Sequence, residues 1–319
     1  MRAWCLLFAP TGGTRASVPR GMVRERAVSR LWGHRSQQAR RIDRIGYARQ
    51  GASRGIYAAA RGSPPPKVFR LAPSDFAFLY DTCPRCFYLK SHKMLMRPKT
   101  FFPSVFNDID NQMKEFFAGV RTQDVVPEMR PGVFLCDKSD PWLQSAPIDV
   151  PGHSSKVVIS GKVDCLVQFD DDKTFGIVDF KTSNQDTSNS KTSYERQLHA
   201  YALCLQNLSG GKEKSLKISD LALIVYQPQL FVGVRRKAAS PSDPQRREIG
   251  GRLDGNLKYV PLERDDTKFM RFLSEVLDIL ELPAPPPPPP QSANYNSGCP
   301  FCSYLVEGQA SGHIPLGHS

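Results

Sequence analysis

The chain has 319 residues, a formal net charge of +12, 40% apolar and 23% charged residues. That apolar content suffices for a packed core, and no run of about 18 apolar residues suggests a membrane-spanning helix. The basicity does not by itself mark a nucleic-acid binder: residues 1–61 hold 13 Arg, no Lys and two acids (Glu25 and Asp43), while the remainder holds 30 basic and 29 acidic residues.

Residues 1–66 are Arg-rich, poor in acids and scattered with Ser, Ala and Gly, which reads as a disordered organelle transit peptide. The apolar stretch Ala3–Ala9 fits the start of a plastid signal, so the expected location is the chloroplast, with the mitochondrion as the alternative. A basic arm for an acidic partner is the other reading of this composition. The body is read as 67–282. Over 74–90, Phe76, Leu79, Tyr80, Cys83 and Phe87 fall at helical spacing, with Ser74 or Asp75 as N-cap. A second helix is predicted over 104–118, with Phe106, Ile109, Met113, Phe116 and Phe117 on one stripe. Residues 120–155 read as irregular. Residues 157–169 and 174–181 read as strands.

Thr182–Thr192 is a polar loop. Ser193–Asn207 is an amphipathic helix carrying Tyr194, Leu198, Tyr201, Ala202 and Leu205 inward. Leu221–Tyr226 and Phe231–Val234 read as strands about a bend at Pro228. Residues 236–256 read as a flexible excursion and Leu257–Leu262 as a short strand. Asp265–Glu281 is a closing helix with Phe269, Phe272, Leu273, Val276, Leu277 and Leu280 inward. A polyproline linker, 283–292, spans roughly 25–30 Å at about 3.1 Å per residue. It delivers a C-terminal CxxC segment, 293–306, to dock on the body. Residues 307–319 read as a disordered tail.

The two strands around Asp170-Asp171-Asp172-Lys173 form a hairpin. If Phe169 faces Thr174, Asp164 lies opposite Asp179. Opposed residues of an antiparallel pair share a face, and Lys181, two residues on, joins them. Two carboxylates and an ammonium then converge where strands end. Carboxylates can hold Mg²⁺, which neutralises a phosphate and acidifies a bound water, and a lysine can orient that water. Gln197 and Tyr201 stack at i, i+4 on the following helix.

Gly161-Lys162-Val163-Asp164, Asp179-Phe180-Lys181 and Gln197-Leu198-His199-Ala200-Tyr201 together resemble the PD-(D/E)XK nuclease superfamily. The pattern is closest to the RecB-like branch, which includes the CRISPR-associated adaptation exonucleases. The resemblance implies that Asp164 and Asp179 ligate Mg²⁺ or Mn²⁺, that Lys181 is catalytic, and that Gln197 and Tyr201 support the site. Val163 stands where the family name has proline, and Asp179 stands for the commoner Glu. The branch usually adds a His or Glu from the preceding helix. The 104–118 helix has no His, and Asp110 is the best substitute, with Glu115 next.

Cys83-Pro84-Arg85-Cys86 and Cys299-Pro300-Phe301-Cys302 are two matching knuckles with the spacing of a tetrathiolate metal site. Zinc and an iron–sulfur cluster both accept four thiolates. The resemblance implies a 4Fe–4S cluster stapling the two ends of the domain, although its usual cysteine arrangement is one and three rather than two and two. Zn²⁺ is the alternative. Cys136, Cys165 and Cys204 are expected to be small buried hydrophobes.

The expected fold class is α/β: a restriction-endonuclease-like core, a central mixed β-sheet flanked by helices, with N- and C-terminal ends joined by the four-Cys metal site. The expected function is an organellar, metal-dependent nuclease cleaving DNA phosphodiester bonds. Its expected partners are DNA, single-stranded DNA included, and a helicase or repair protein. The alternative is an inactive module of the same fold that binds nucleic acid or protein. Lys90, Lys93, Arg97 and Lys99, and Arg235, Arg236 and Lys237, are the basic clusters that could meet phosphates.

Overall fold

A computed structural model describes residues 66–98, 103–136, 142–184, 191–210, 215–235, 249–289 and 298–313. The leader to residue 65, most of the polar loop (185–190), the start of the excursion (236–248), the linker end and the last tail residues lie outside the described residues.

The elements run β1 Val68–Leu71, α1 Pro73–Phe78, α2 Pro84–Ser91, α3 Ser104–Phe117, α4 Thr122–Val125, β2 Gly132–Leu135, β3 Leu143–Gln144, β4 Ile148–Asp149, β5 Lys156–Gly161, β6 Cys165–Phe169 and β7 Phe175–Thr182. They continue through α5 Lys191–Gln206, β8 Ile218–Arg235, β9 Ile249–Leu262, α6 Asp266–Leu280 and α7 Pro300–Ala310. The main sheet is mixed, in the order β2-β6-β7-β8-β9, with β7 and β8 parallel and the other pairs antiparallel. A smaller sheet pairs β5 with β1, β3 and β4. Helices flank these sheets, as an α/β sandwich requires.

Several elements differ from the sequence reading. The 74–90 helix is two helices, because Cys83 is extended and Pro84 restarts the chain at the first helical position. The 157–169 strand is split: β5 belongs to the small sheet and β6 to the large one, with Lys162–Asp164 as the crossing between them. The stretch read as irregular holds α4 and three short strands. The short strand at 257–262 is the end of the 14-residue β9, which pairs with β8 along its length. The expected bend at Pro228 is a register shift within β8.

The core lies between α3 and one face of the main sheet. Phe117 and Met113 pack with Phe134, Val167, Phe169, Val178, Phe180 and Ile224. Of the predicted stripe on this helix only Met113 and Phe117 are buried, and Phe116 is exposed. By strand alternation Asp179 projects to the other face from Val178 and Phe180. On α6 all six predicted inward residues are buried, and Asp265 caps it by accepting from the Lys268 N–H.

Candidate active site and four-cysteine centre

The register of the β6–β7 hairpin builds the first site. Cys165 pairs with Val178 and Gln168 with Phe175, and the Phe169 N–H donates to the Thr174 carbonyl at 3.0 Å. One residue further along, Asp164 meets Asp179. The Phe180 N–H donates to Asp164 Oδ2 at 3.2 Å, which fixes this carboxylate beside β7. Lys181, on the same face as Asp179, forms an ion pair with Asp179 Oδ2. Asp164, Asp179 and Lys181 are therefore brought together.

Asp179 is 3% exposed. Burial pushes its carboxyl up to about 7; Lys181 pulls it down and Asp164 pushes it up again. On Asp164 burial also acts upward, but Lys114 and Lys181 outweigh it and hold the carboxyl below its ordinary range. Lys181 is raised: burial opposes its charge, and Asp179 and Asp164 overcome that. The paired groups thus respond differently, attraction winning at the ammonium and burial at the carboxyl. Asp179 is driven upward because it has lost its water and faces a second carboxylate.

Lys114 of α3 was not anticipated. Its Nζ lies 2.7 Å from Asp164 Oδ1 and 2.8 Å from Asp110 Oδ2. Asp110 reaches Asp164 only through this ammonium. Among the described residues, the one group of three or more His, Cys, Asp or Glu with ligand atoms all within 4.8 Å of one another is a set of four cysteines. Asp110 therefore does not close on Asp164 and Asp179 here. An i, i+4 Asp110–Lys114 pair was visible in the sequence, but nothing in the helix pattern said that it would face β7.

Gln197 and Tyr201 lie on α5, both buried. The Tyr201 ring packs on Gly161, where a Cβ would come within 3.2 Å of Tyr201 Cε1 and 3.1 Å of Pro73 Cδ. Burial, then Asp179 and Asp164, raise the Tyr201 phenol, and a hydrogen bond with Gln197 works the other way. So buried a ring is a wall behind the carboxylates and not a surface on which a base stacks. Tyr194, two α5 turns before Tyr201, lies 5.4 Å from Lys181 Nζ through its ring centre and was also not anticipated at the site.

The donor set suits a hard divalent cation. Asp179 Oδ2 and Gln197 Oε1 are buried acceptors with no aligned hydrogen-bond donor, the Asp179 atom having only its ion contact with Lys181. Buried polar atoms are rarely left so, and carboxylate and amide oxygens are the ligands that Mg²⁺ or Mn²⁺ prefers.

The second site joins the ends of the domain. Cys83 and Cys299 are the N-caps of α2 and α7, each followed by proline. Sγ atoms are 3.7 Å apart for Cys83–Cys302 and 3.8 Å for both Cys86–Cys299 and Cys86–Cys302. The Cys86 N–H donates to Cys83 Sγ at 3.3 Å. The linker passes over α2, where Arg85 Nη1 donates to the Pro286 carbonyl and Tyr88 Oη to that of Leu282, both at 3.0 Å.

Of the cysteines expected to be single, Cys204 is buried and unpaired with another cysteine. Cys136 and Cys165 instead form a disulfide. They are cross-strand neighbours, one step beyond Leu135↔Leu166 on β2 and β6. The first basic cluster is not a free patch: Lys90 pairs with Asp75, and Arg97 Nη2 donates to Cys299 Sγ at 3.4 Å. Lys99, Arg236 and Lys237 lie outside the described residues.

Residues 118–306 match the family model for the PD-(D/E)XK nuclease superfamily. That span holds Asp164, Asp179, Lys181, Gln197, Tyr201, Cys299 and Cys302; α3, with Asp110 and Lys114, and the Cys83–Cys86 knuckle precede it. The solved structure of SSO0001 is 13% identical, with a TM-score of 0.37, over 66% of this chain and 76% of that one. No curated protein matches the chain.

Proposed function

The chain belongs to the PD-(D/E)XK nuclease superfamily, and from that premise we propose that it is a Mg²⁺- or Mn²⁺-dependent nuclease that hydrolyses DNA phosphodiester bonds. The observation that carries the reading is the meeting of Asp164, Asp179 and Lys181 across one hairpin, with Asp164 Oδ2 held by the Phe180 N–H. Asp164 and Asp179 would hold the cation. When bound, it supplies positive charge to the phosphate oxygens and acidity to a coordinated water.

The chain's own groups do the rest. Lys181 orients the attacking water and offsets charge that grows on the phosphate in the transition state. Its raised pKa keeps it protonated at neutral pH, so it acts as a donor and not as a base. Gln197 and Tyr201 brace the carboxylates from α5 and shut water out of their rear side. Lys114 holds the Asp164 carboxylate in place from α3. Within the superfamily, the RecB-like branch offers the nearest motif pattern, and the arginine-rich residues 1–61 support an organellar place of action.

The test incubates the full chain with single-stranded and duplex DNA in Mg²⁺ or Mn²⁺. Cleavage is expected, and Lys181→Ala is expected to reduce it by roughly 10²–10³-fold while DNA binding persists. Binding with no cleavage by the unaltered chain under any of these conditions would overturn the reading in favour of an inactive binding module.

A further inference from the structure

We infer that the four-cysteine centre is a single-ion Zn²⁺ site, not an iron–sulfur cluster, and that Arg97 is its outer counter-cation. The inference concerns metal identity and does not depend on the nuclease reading.

The sulfur spacing decides between the candidates. One tetrahedral ion with Zn–S bonds of about 2.3 Å puts its sulfurs about 3.8 Å apart, the edge of that tetrahedron. The Sγ–Sγ separations are 3.7 Å for Cys83–Cys302 and 3.8 Å for Cys86–Cys299 and Cys86–Cys302, and all four atoms lie within 4.8 Å of one another. In a 4Fe–4S cube each thiolate holds a different iron at its own corner. The sulfurs then point outward from a body several ångströms across and stand well beyond the edge of a one-ion tetrahedron. The space enclosed by Cys83, Cys86, Cys299 and Cys302 fits an ion and not a cube.

The surroundings suit a tetrathiolate of net charge −2. Cys83 and Cys299 start α2 and α7, so two helix N-termini direct partial positive charge at the sulfurs. Proline at the first helical position leaves that terminus without a wasted donor, and the Cys86 N–H donates to Cys83 Sγ. Arg97 supplies a full charge. Its Nη2 donates to Cys299 Sγ, and its guanidinium lies 4.6 Å over the Phe301 ring between the two C-terminal cysteines. Its Nε is buried, which suits a cation held against thiolates and not a phosphate-binding surface arginine. Zn²⁺ uptake releases the thiol protons to solvent and clamps α7 onto α2, with no redox step.

The experiment purifies the full chain without air and measures metal content, acid-labile sulfide and the optical spectrum. One zinc per chain, no labile sulfide and no colour are expected. Exchange with Co²⁺ is expected to give the strong visible bands of a tetrahedral thiolate site. Arg97→Gln should keep one zinc yet bind it roughly 10-fold more weakly against a competing chelator, with displaced cobalt bands, and Arg97→Lys should restore most of both. Iron with labile sulfide, or a chain that holds no metal, would overturn the zinc assignment. Unchanged affinity and bands in Arg97→Gln would overturn the role of Arg97. None of these readings uses DNA cleavage, so failure here and failure of the nuclease proposal are separable.

Discussion

Lowering the pH from 8 to 5 in Mg²⁺-free buffer should stabilise the protein through Asp179. Unfolded, this carboxyl titrates near 3.8; folded, burial takes it to about 7. A carboxyl whose pKa is raised by folding takes its proton first in the folded state. Stability therefore rises as pH falls through 7 and stops rising near the unfolded value, with a slope of about 1.4 kcal/mol per pH unit between. Integrated from pH 8 to 5, the gain is roughly 2.5 kcal/mol. For a domain of this size that is about 5–10 °C in melting temperature. Lys181 stays charged across this window, since its pKa is raised. His92 acts in the opposite sense, because burial lowers its pKa and its protonation disfavours the fold. The assay is thermal unfolding at several pH values for the unaltered chain and for Asp179→Asn, whose difference in slope removes His92 and every other shared group. Parallel pH profiles for the two proteins would refute the reasoning.

Three further perturbations test other parts of the structure. Replacing Cys136 and Cys165 together by Ala removes a cross-link between residues 29 apart in sequence, and urea unfolding should show a loss of roughly 3.5 kcal/mol. Lys114→Ala frees Asp164 Oδ1 from its ammonium, so the Mn²⁺ concentration at half-saturation should fall about tenfold, as loss of a charged hydrogen bond worth about 1.5 kcal/mol implies; a higher half-saturation would show that Lys114 assists cation binding. Leu277→Ala opens a cavity at a side chain with 0% exposure on α6; equilibrium unfolding should register a cost of about 2–5 kcal/mol.

Local chemistry made some of this visible in the sequence. The Asp170–Lys173 turn sits between Phe169 and Thr174, which fixed the hairpin register and so the Asp164–Asp179 pairing. On α6 an apolar stripe at helical spacing faces a real core, so every inward residue was legible. The failures arise where that link is missing. β9 carries Gly250, Gly251, Asp254, Gly255 and Asn256, which spell a loop, yet the backbone ladder with β8 holds it extended. Its outer half is solvated on both sides, with Leu253, Leu257 and the facing Phe231 exposed, so no two-residue alternation survived to mark a strand. Residues 132–135 are too short a run to announce β2, and without β2 the Cys136–Cys165 pairing had no neighbour to suggest it. Lys114 is invisible for another reason: its role depends on how α3 is rotated against β7, a tertiary fact. Asp110 looked like the missing ligand because its residue type was right, but the lysine one turn along occupies the position between it and Asp164.

The most direct test of the shared carboxylate site is a Mn²⁺ titration followed by electron paramagnetic resonance on zinc-loaded full chain. One tightly held Mn²⁺ per chain is expected, lost in Asp164→Asn and in Asp179→Asn and kept in Lys181→Ala. Equal Mn²⁺ binding by both asparagine variants and the unaltered chain would contradict it.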